Sequence, residues 1–565
     1  MQSLRSASHI DLRCSTLYSS LVSPALSSIF GEIVSPKKVR FMEASPKKVR
    51  ANRGGAVFVA AGILLSRFAG LIRERAFAHY FGNTAAADVF RAALRIPNLL
   101  QNLFGEGALS ASFIPVYASL SEKDPKEAAR VAGIILSLLS LLMTVLVALG
   151  MLGTPLLIDL IVPGFEGEKR AAAIELVRIL FPGIGLLVVS AFCLGVLNSH
   201  RRFFISYSAP VLWNGAMIAT LMAFQNEDGY RFAANLAWGA VVGSALQVLV
   251  QLPSMLRYMR GMRPSLDIKN FSVMTIVTRF VPNLFSRGVI QISAYIEGMI
   301  ASFLPTGALA AIGYAQLLYT LPTSLFGTAV AASQLVDMST ADKKDQVAHK
   351  LHQGMRHIAF FIIPSAIAFV LMGHVLAAIL FKTGKFQDEE TFFVWHLLAA
   401  SAIGLLASTQ GRLLATAFFA LKNTKEPLRC SIVRVVTSTT LAVLFAVVLP
   451  KWIPMSAPLA TAGISFASGI AAVLEFFLLR RSLRKELPLV PLANNFLIQL
   501  TAAAIIAGSI GAAFYQSLLP AKLPDWMSGG VAVLIFGAIY GGLCLAFKVP
   551  EAIEMYVKIR RRLPI

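Results

Sequence analysis

Charge is scarce in this sequence. Of its 565 residues 14% are charged, 56% are apolar, and the mean hydropathy is +0.69. Soluble domains carry about 25% charge and about 45–50% apolar residues, so a disordered chain and a cytosolic multidomain enzyme are both excluded. Cysteine is scarce as well. Cys14, Cys193, Cys430 and Cys544 lie far apart with no CxxC pair, which indicates neither a disulfide framework nor a zinc site. HExxH, P-loop, GxSxG and Rossmann glycine signatures are missing, and the histidines fall in no metal-ligand spacing. Neither an enzyme nor a cofactor or metal is therefore expected. Without a nucleotide-binding segment, any uphill work must come from a coupling ion (Na+ or H+), the membrane potential or substrate flux.

What the sequence has is long apolar runs. About fourteen recur from residue 55 onward, near 56–80, 86–119, 128–161, 172–198, 203–225, 232–256, 272–304, 307–337, 352–381, 391–421, 428–449, 457–479, 495–519 and 527–547. The expected fold is an all-α polytopic membrane protein. Lys and Arg number 51 against 29 Asp and Glu, a formal net charge of +22. With the N-terminus in the cytoplasm, roughly 33 basic residues fall on the inner side and roughly 7 on the outer side. That asymmetry places both termini in the cytoplasm and makes a nucleic-acid partner unnecessary.

An internal repeat divides the chain. Leu64–Arg67 (LLSR) matches Leu284–Arg287 (LFSR), and the segment from Leu103–Gly105 matches that from Leu325–Gly327. The expected organisation is a disordered basic tail (1–54, with SPKKVR at Ser35–Arg40 and again at Ser45–Arg50) and two six-helix lobes (55–262 and 263–486). Helices 13–14 (487–548) and a basic cytoplasmic tail (549–565) follow. Paired bundles of this kind place a substrate path between the repeats.

The second span carries Asp88, Arg91, Arg95, Asn98, Asn102 and Glu106 at steps of three and four, one face of a helix. Such a stripe cannot face lipid. It either lines a wet cavity or forms a salt-bridged helix pair, with Asp88 and Glu74 against Arg91 or Arg73. The excess of arginine favours a positive cavity, whose natural ligand is an anion. Guanidinium forks match phosphate oxygens. Arg75, Arg279, Arg356 and Arg434 sit where they are expected to snorkel to the membrane interface.

Several motifs then carry a family resemblance: Ser66-Arg67-Phe68-Ala69-Gly70-Leu71-Ile72-Arg73-Glu74, Tyr80-Phe81-Gly82, Ala87-Asp88, Ile96-Pro97-Asn98, Leu103-Phe104-Gly105-Glu106-Gly107-Ala108 and Phe113-Ile114-Pro115. Over about residues 55–550 the chain resembles the MurJ lipid II flippases. The resemblance implies the fold of the multidrug/oligosaccharidyl-lipid/polysaccharide exporters. It also implies transfer of undecaprenyl-diphosphate-linked peptidoglycan precursor (lipid II) from the inner to the outer leaflet of a bacterial inner membrane by alternating access. Lipid II, membrane lipids and the cell-wall synthesis machinery are the partners implied. Arg67 and Arg73 match the family's helix-1 arginines and Asp88 its helix-2 acid. Two further arginines of the pattern are replaced, by Gln101 and by Leu317 after Tyr314-Ala315-Gln316. Arg95 and Arg287 are expected to supply the lost charge, with Asn98, Gln101 and Glu106 beside them, and Glu297 is the candidate cation site. The alternative is a cation-coupled multidrug exporter, or an exporter of another lipid-linked polysaccharide, of the same fold. Cationic drugs want an acidic cavity, which weighs against the first of these.

Overall fold

A computed structural model describes residues 53–104, 108–227, 229–339, 343–518 and 523–562. Among these the chain is helical throughout, apart from loops and one isolated bridge between Thr383 and Phe386. The helices of the first half are α1 (Arg53–Phe81), α2 (Ala85–Phe104), α3 (Ala108–Lys123), α4 (Pro125–Leu152), α5 (Thr154–Ile161), α6 (Gly167–Ser199), α7 (Phe203–Ala223) and α8 (Gly229–Tyr258). The second half contains α9 (Phe271–Ser302), α10 (Ala308–Pro322), α11 (Ala329–Ser339), α12 (Lys344–Phe381), α13 (Asp388–Ala420), α14 (Lys425–Val443), α15 (Leu449–Trp452) and α16 (Ala457–Leu483). The chain ends with α17 (Asn494–Leu518), α18 (Asp525–Ala546) and α19 (Pro550–Arg562).

Nine helices among the described residues are long and apolar enough to cross a membrane, so this is a multi-pass membrane protein. The other five segments expected as spans lie on helices α1, α2–α3, α7, α9 and α10–α11, which fall short of the length and apolarity that mark the nine. Three of the five, α1, α2 and α9, carry charged residues inside their apolar runs.

Local sequence sets the helix starts. Asp124 caps α4, accepting from the backbone N–H of Lys126 at 3.0 Å and Glu127 at 3.2 Å, with Pro125 in the first turn. Asn270 does the same for α9 from Ser272 and Val273, and Gln387 with Glu390 forms a capping box at α13. Within α10, Pro322 has no N–H to continue the ladder, and Thr323–Thr328 follows in π register. Leu325–Gly327, the second copy of the sequence repeat, lies on this π turn.

In the first half α6 packs against α2, α3, α4 and α8, and its Leu176, Val177, Phe181, Val188 and Phe192 are buried. In the second half α13 packs against α12 and α16. A Cβ at Gly469 would stand 3.2 Å from the backbone nitrogen of Gly404, so these two glycines let α13 and α16 cross backbone to backbone.

The segment expected as a basic C-terminal tail (549–565) contains a helix, α19. Glu551 of α19 accepts from Arg356 of α12 at 2.5 and 3.0 Å, and the Arg356 guanidinium lies 4.1 Å over the Phe496 ring of α17. Arg356 is therefore paired rather than snorkelling. Arg75 likewise donates to the carbonyls of Ile379 and Leu380 at 2.8 and 2.9 Å, and Arg434 to Glu475 at 2.9 Å. Residues 1–52 lie outside the described residues.

Candidate functional site: a charged seam between the helix groups

The polar stripe of α2 does two different things along its length. Its first residues are turned onto the second half of the chain. Asp88 is 1% exposed. Its Oδ2 accepts from Lys169 Nζ of α6 at 2.9 Å and from the Gly307 N–H at 2.8 Å, and its Oδ1 accepts from the Ala310 N–H at 2.9 Å. Gly307 precedes α10 with φ +92°, a conformation that favours glycine, and it brings no side chain to cap the helix. Asp88 supplies that cap from across the seam, where orphan N–H groups and the positive helix end welcome a carboxylate. Asp88 pairs with neither Arg91 nor Arg73. Its partners are a lysine and a helix terminus.

One helical turn on, Arg91 donates to Glu74 Oε2 at 2.6 Å and lies between two rings, 4.9 Å from the Phe77 centroid and 4.7 Å from Tyr314. Arg73 takes the other oxygen of Glu74 at 2.5 Å and stacks on Trp213 at 4.9 Å. The salt-bridged pair weighed from the sequence is therefore present, but a single carboxylate serves two guanidinium groups. Arg95 is the third member of the stripe. Its guanidinium occupies the space that a side chain at residue 298 would need, so Gly298 of α9 is its seat. Tyr295 donates to the Arg95 carbonyl at 2.6 Å. Arg95 is thus directed at the seam, toward Glu297.

Further along, Asn98 and Asn102 are exposed and Gln101 is half-buried. Arg67 on α1 is exposed and makes no hydrogen bond or ion pair among the described residues, and its neighbours Leu64 and Phe68 are 67% and 62% exposed. Glu106 lies outside the described residues, as does the side chain of Arg287.

Hydrogen bonds between the two halves gather at the α1–α2 turn. Lys385 N–H donates to the His79 carbonyl at 2.7 Å, Thr383 Oγ1 and His79 Nδ1 are 2.8 Å apart, and Tyr314 donates to the Gly82 carbonyl at 3.0 Å. With Asp88 they close the seam at that end. Lys169, the cap at Gly307, the Gly298 seat and the Thr383–Lys385 hook escaped the sequence reading. Only the glycines left a local signal there, as small residues inside apolar runs.

Glu74→Gln would leave Arg73 and Arg91 side by side with no carboxylate. Breaking a buried pair in this way costs about 3–5 kcal/mol. The thermal midpoint of the purified full chain should fall accordingly, and an unchanged midpoint would mean that water already compensates both arginines.

The family described as Lipid II flippase MurJ matches residues 77–535. A Burkholderia cenocepacia protein named "Lipid II flippase MurJ" is 32% identical over 466 residues, covering 80% of this chain and 88% of its own length. A Haemophilus influenzae protein named "Probable lipid II flippase MurJ" is 30% identical, covering 75% of this chain and 84% of its own. A solved structure titled "Lipid II flippase MurJ, inward closed conformation" superposes with a TM-score of 0.71 at 23% identity, over 87% of this chain and 98% of that one. An inward-facing multidrug MATE-family transporter of the MOP superfamily reaches 0.60 at 16% identity, over 76% of this chain and 98% of that one. The structural matches share the fold, and the sequence matches, which run through the α2 stripe into the C-terminal helices, decide the rest: the chain belongs to the lipid II flippase MurJ family.

Proposed function

We propose that this protein moves lipid II from the inner to the outer leaflet of a bacterial cytoplasmic membrane, with both termini in the cytoplasm and the α1–α2 turn on the outer side. It acts as a transporter rather than an enzyme, and it supplies precursor to the cell-wall synthesis machinery. The observation that carries this reading is the charge balance on α1 and α2. Arg73 and Arg91 share one carboxylate, Glu74, and Arg67 is exposed with no hydrogen bond or ion pair among the described residues. An arginine at mid-membrane costs roughly 2.5–3.5 kcal/mol on insertion scales, so an unpaired one is retained where an anion or water receives it. Two positive charges remain uncompensated, and a pyrophosphate diester carries about two negative ones, with oxygens spaced for guanidinium forks.

The seam supplies the moving part. In the arrangement described, Asp88, the Thr383–Lys385 hook and Tyr314 hold the outer end shut. Transfer to the outer leaflet requires these bonds to part while contacts form at the opposite end. The multidrug-exporter reading shares the fold, yet a surplus of guanidinium repels cationic drugs.

The test is rescue of a bacterium depleted of its own lipid II flippase, with lipid II accessibility at the outer leaflet as the readout. Restored growth with restored accessibility is expected. Full expression in the membrane with neither restored would end the reading.

A further inference from the structure

A second charged cluster lies deeper in the seam, on four helices. Glu297 of α9, the candidate cation site, lies near two guanidinium groups, Arg434 of α14 and Arg95 of α2, and near the Ser468 hydroxyl of α16. Arg434 also pairs with Glu475 of α16 at 2.9 Å, and Ser431 donates to Glu475 at 3.0 Å. Arg434 thus stands between two carboxylates drawn from two different helices. Glu475 is buried, and the guanidinium of Arg95 is wedged onto Gly298, one residue from Glu297.

The charges of this quartet cancel. Glu297 and Glu475 contribute two negative charges, and Arg95 and Arg434 two positive ones. A mobile cation placed beside Glu297 would leave a net positive charge in a low-dielectric interior and would meet a guanidinium already in place. Among the described residues no group of three or more His, Cys, Asp or Glu side chains gathers to hold a metal ion, here or elsewhere.

We infer that Arg434 is a built-in cation that takes the place of a mobile coupling ion between Glu297 and Glu475, so that transport by this chain does not depend on sodium. The inference rests on the flippase reading only for its transport arm. Arg95 belongs to the first half of the chain, whereas Arg434, Glu297 and Glu475 share the second. When the seam opens, Arg95 is the member that leaves, and Arg434 stays with both carboxylates. The guanidinium is tethered, so it neutralises the acids in every state and carries no ion across.

Two measurements test this on the purified full chain. The first is the thermal midpoint in sodium, potassium or choline chloride at equal ionic strength. Wild type should melt identically in all three. Arg434→Gln removes the resident charge and opens a hole with net negative charge, so its midpoint should be lower in choline and rise saturably with sodium, by on the order of 1–3 °C. Arg434→Lys keeps a positive charge and should stay insensitive to sodium. The second is outer-leaflet lipid II accessibility in proteoliposomes with and without sodium, where wild type should change by less than about twofold. A saturable sodium-dependent rise in the wild-type midpoint, or loss of transport on sodium removal, overturns the inference. So does an Arg434→Gln protein that folds and ignores sodium. If that variant cannot be purified, the wild-type sodium response decides alone. If wild type moves no lipid II in any salt, the flippase reading fails while the melting arm still judges the quartet.

Discussion

Asp88→Ala should open the outer end of the seam and stop transport. Three groups converge on this carboxylate, and none has a substitute within the geometry described. The half-buried Lys169 would be left without its counter-ion, and the N–H groups of Gly307 and Ala310 would lose their acceptor. Removing one partner of a buried ion pair costs about 3–5 kcal/mol, and each orphaned N–H adds about 1–3 kcal/mol. The bonds to Gly307 and Ala310 cross the seam, so their loss falls on the closed arrangement and is relieved where water enters, whereas the Lys169 pair lies within the first half. A relative shift of about 3 kcal/mol already changes the closed-to-open ratio more than a hundredfold. The reporter is a cysteine at Ala86, buried at the start of α2, in a background with the native cysteines replaced. A membrane-impermeant maleimide added outside should label it far faster with Asp88→Ala than with Asp88 present. Asp88→Asn keeps an acceptor for Ala310 but not the charge for Lys169, so it should fall between. Equal labelling rates in all three proteins would refute the role of Asp88 as a clasp.

The sequence made the periodic features legible and hid the convergent ones. The step of three and four from Asp88 to Asn102 puts one polar face on α2 whatever surrounds it, and the structure keeps that face. What the face meets depends on residues far away in the chain. Asp88 is joined to Gly307 and Ala310 across more than two hundred positions, and no periodicity links a carboxylate to a helix terminus that lacks its own cap. The same holds for Arg95 and Gly298. A glycine in an apolar run reads as a packing residue, and only the three-dimensional fit turns it into a seat for a guanidinium. Arg356 and Arg434 depart from the expected snorkelling for a related reason. Near the end of a hydrophobic run an arginine reads as one that reaches for water, yet Glu551 and Glu475 come from other helices to meet them. The α1 arginines were the most legible of all, because their motif is local and dense.

Arg67→Ala should be the converse of Asp88→Ala, a variant that folds as well as wild type and transports almost nothing. Arg67 is exposed and has no partner among the described residues, so its loss removes no bond from the folded state. Substitutions away from buried networks change stability by about 0.5 kcal/mol or less, and the thermal midpoint should hold. If the guanidinium receives a diphosphate, its removal takes away a charge-assisted interaction of about 1.5–3 kcal/mol, a loss of about 10–150-fold in transport from this one group. Arg67→Lys keeps the charge but not the two-pronged fork, so it should recover part of the rate and not all of it. Arg73→Ala separates the two roles of the cluster. It frees one oxygen of Glu74 and leaves the Arg91 pair intact, so it should lower both transport and the midpoint. The readout is outer-leaflet lipid II accessibility beside the midpoint, measured on the same preparations. An Arg67→Ala protein that flips at the wild-type rate would mean that the exposed guanidinium is solvated and idle, and the charge surplus on α1 and α2 would no longer point to a pyrophosphate.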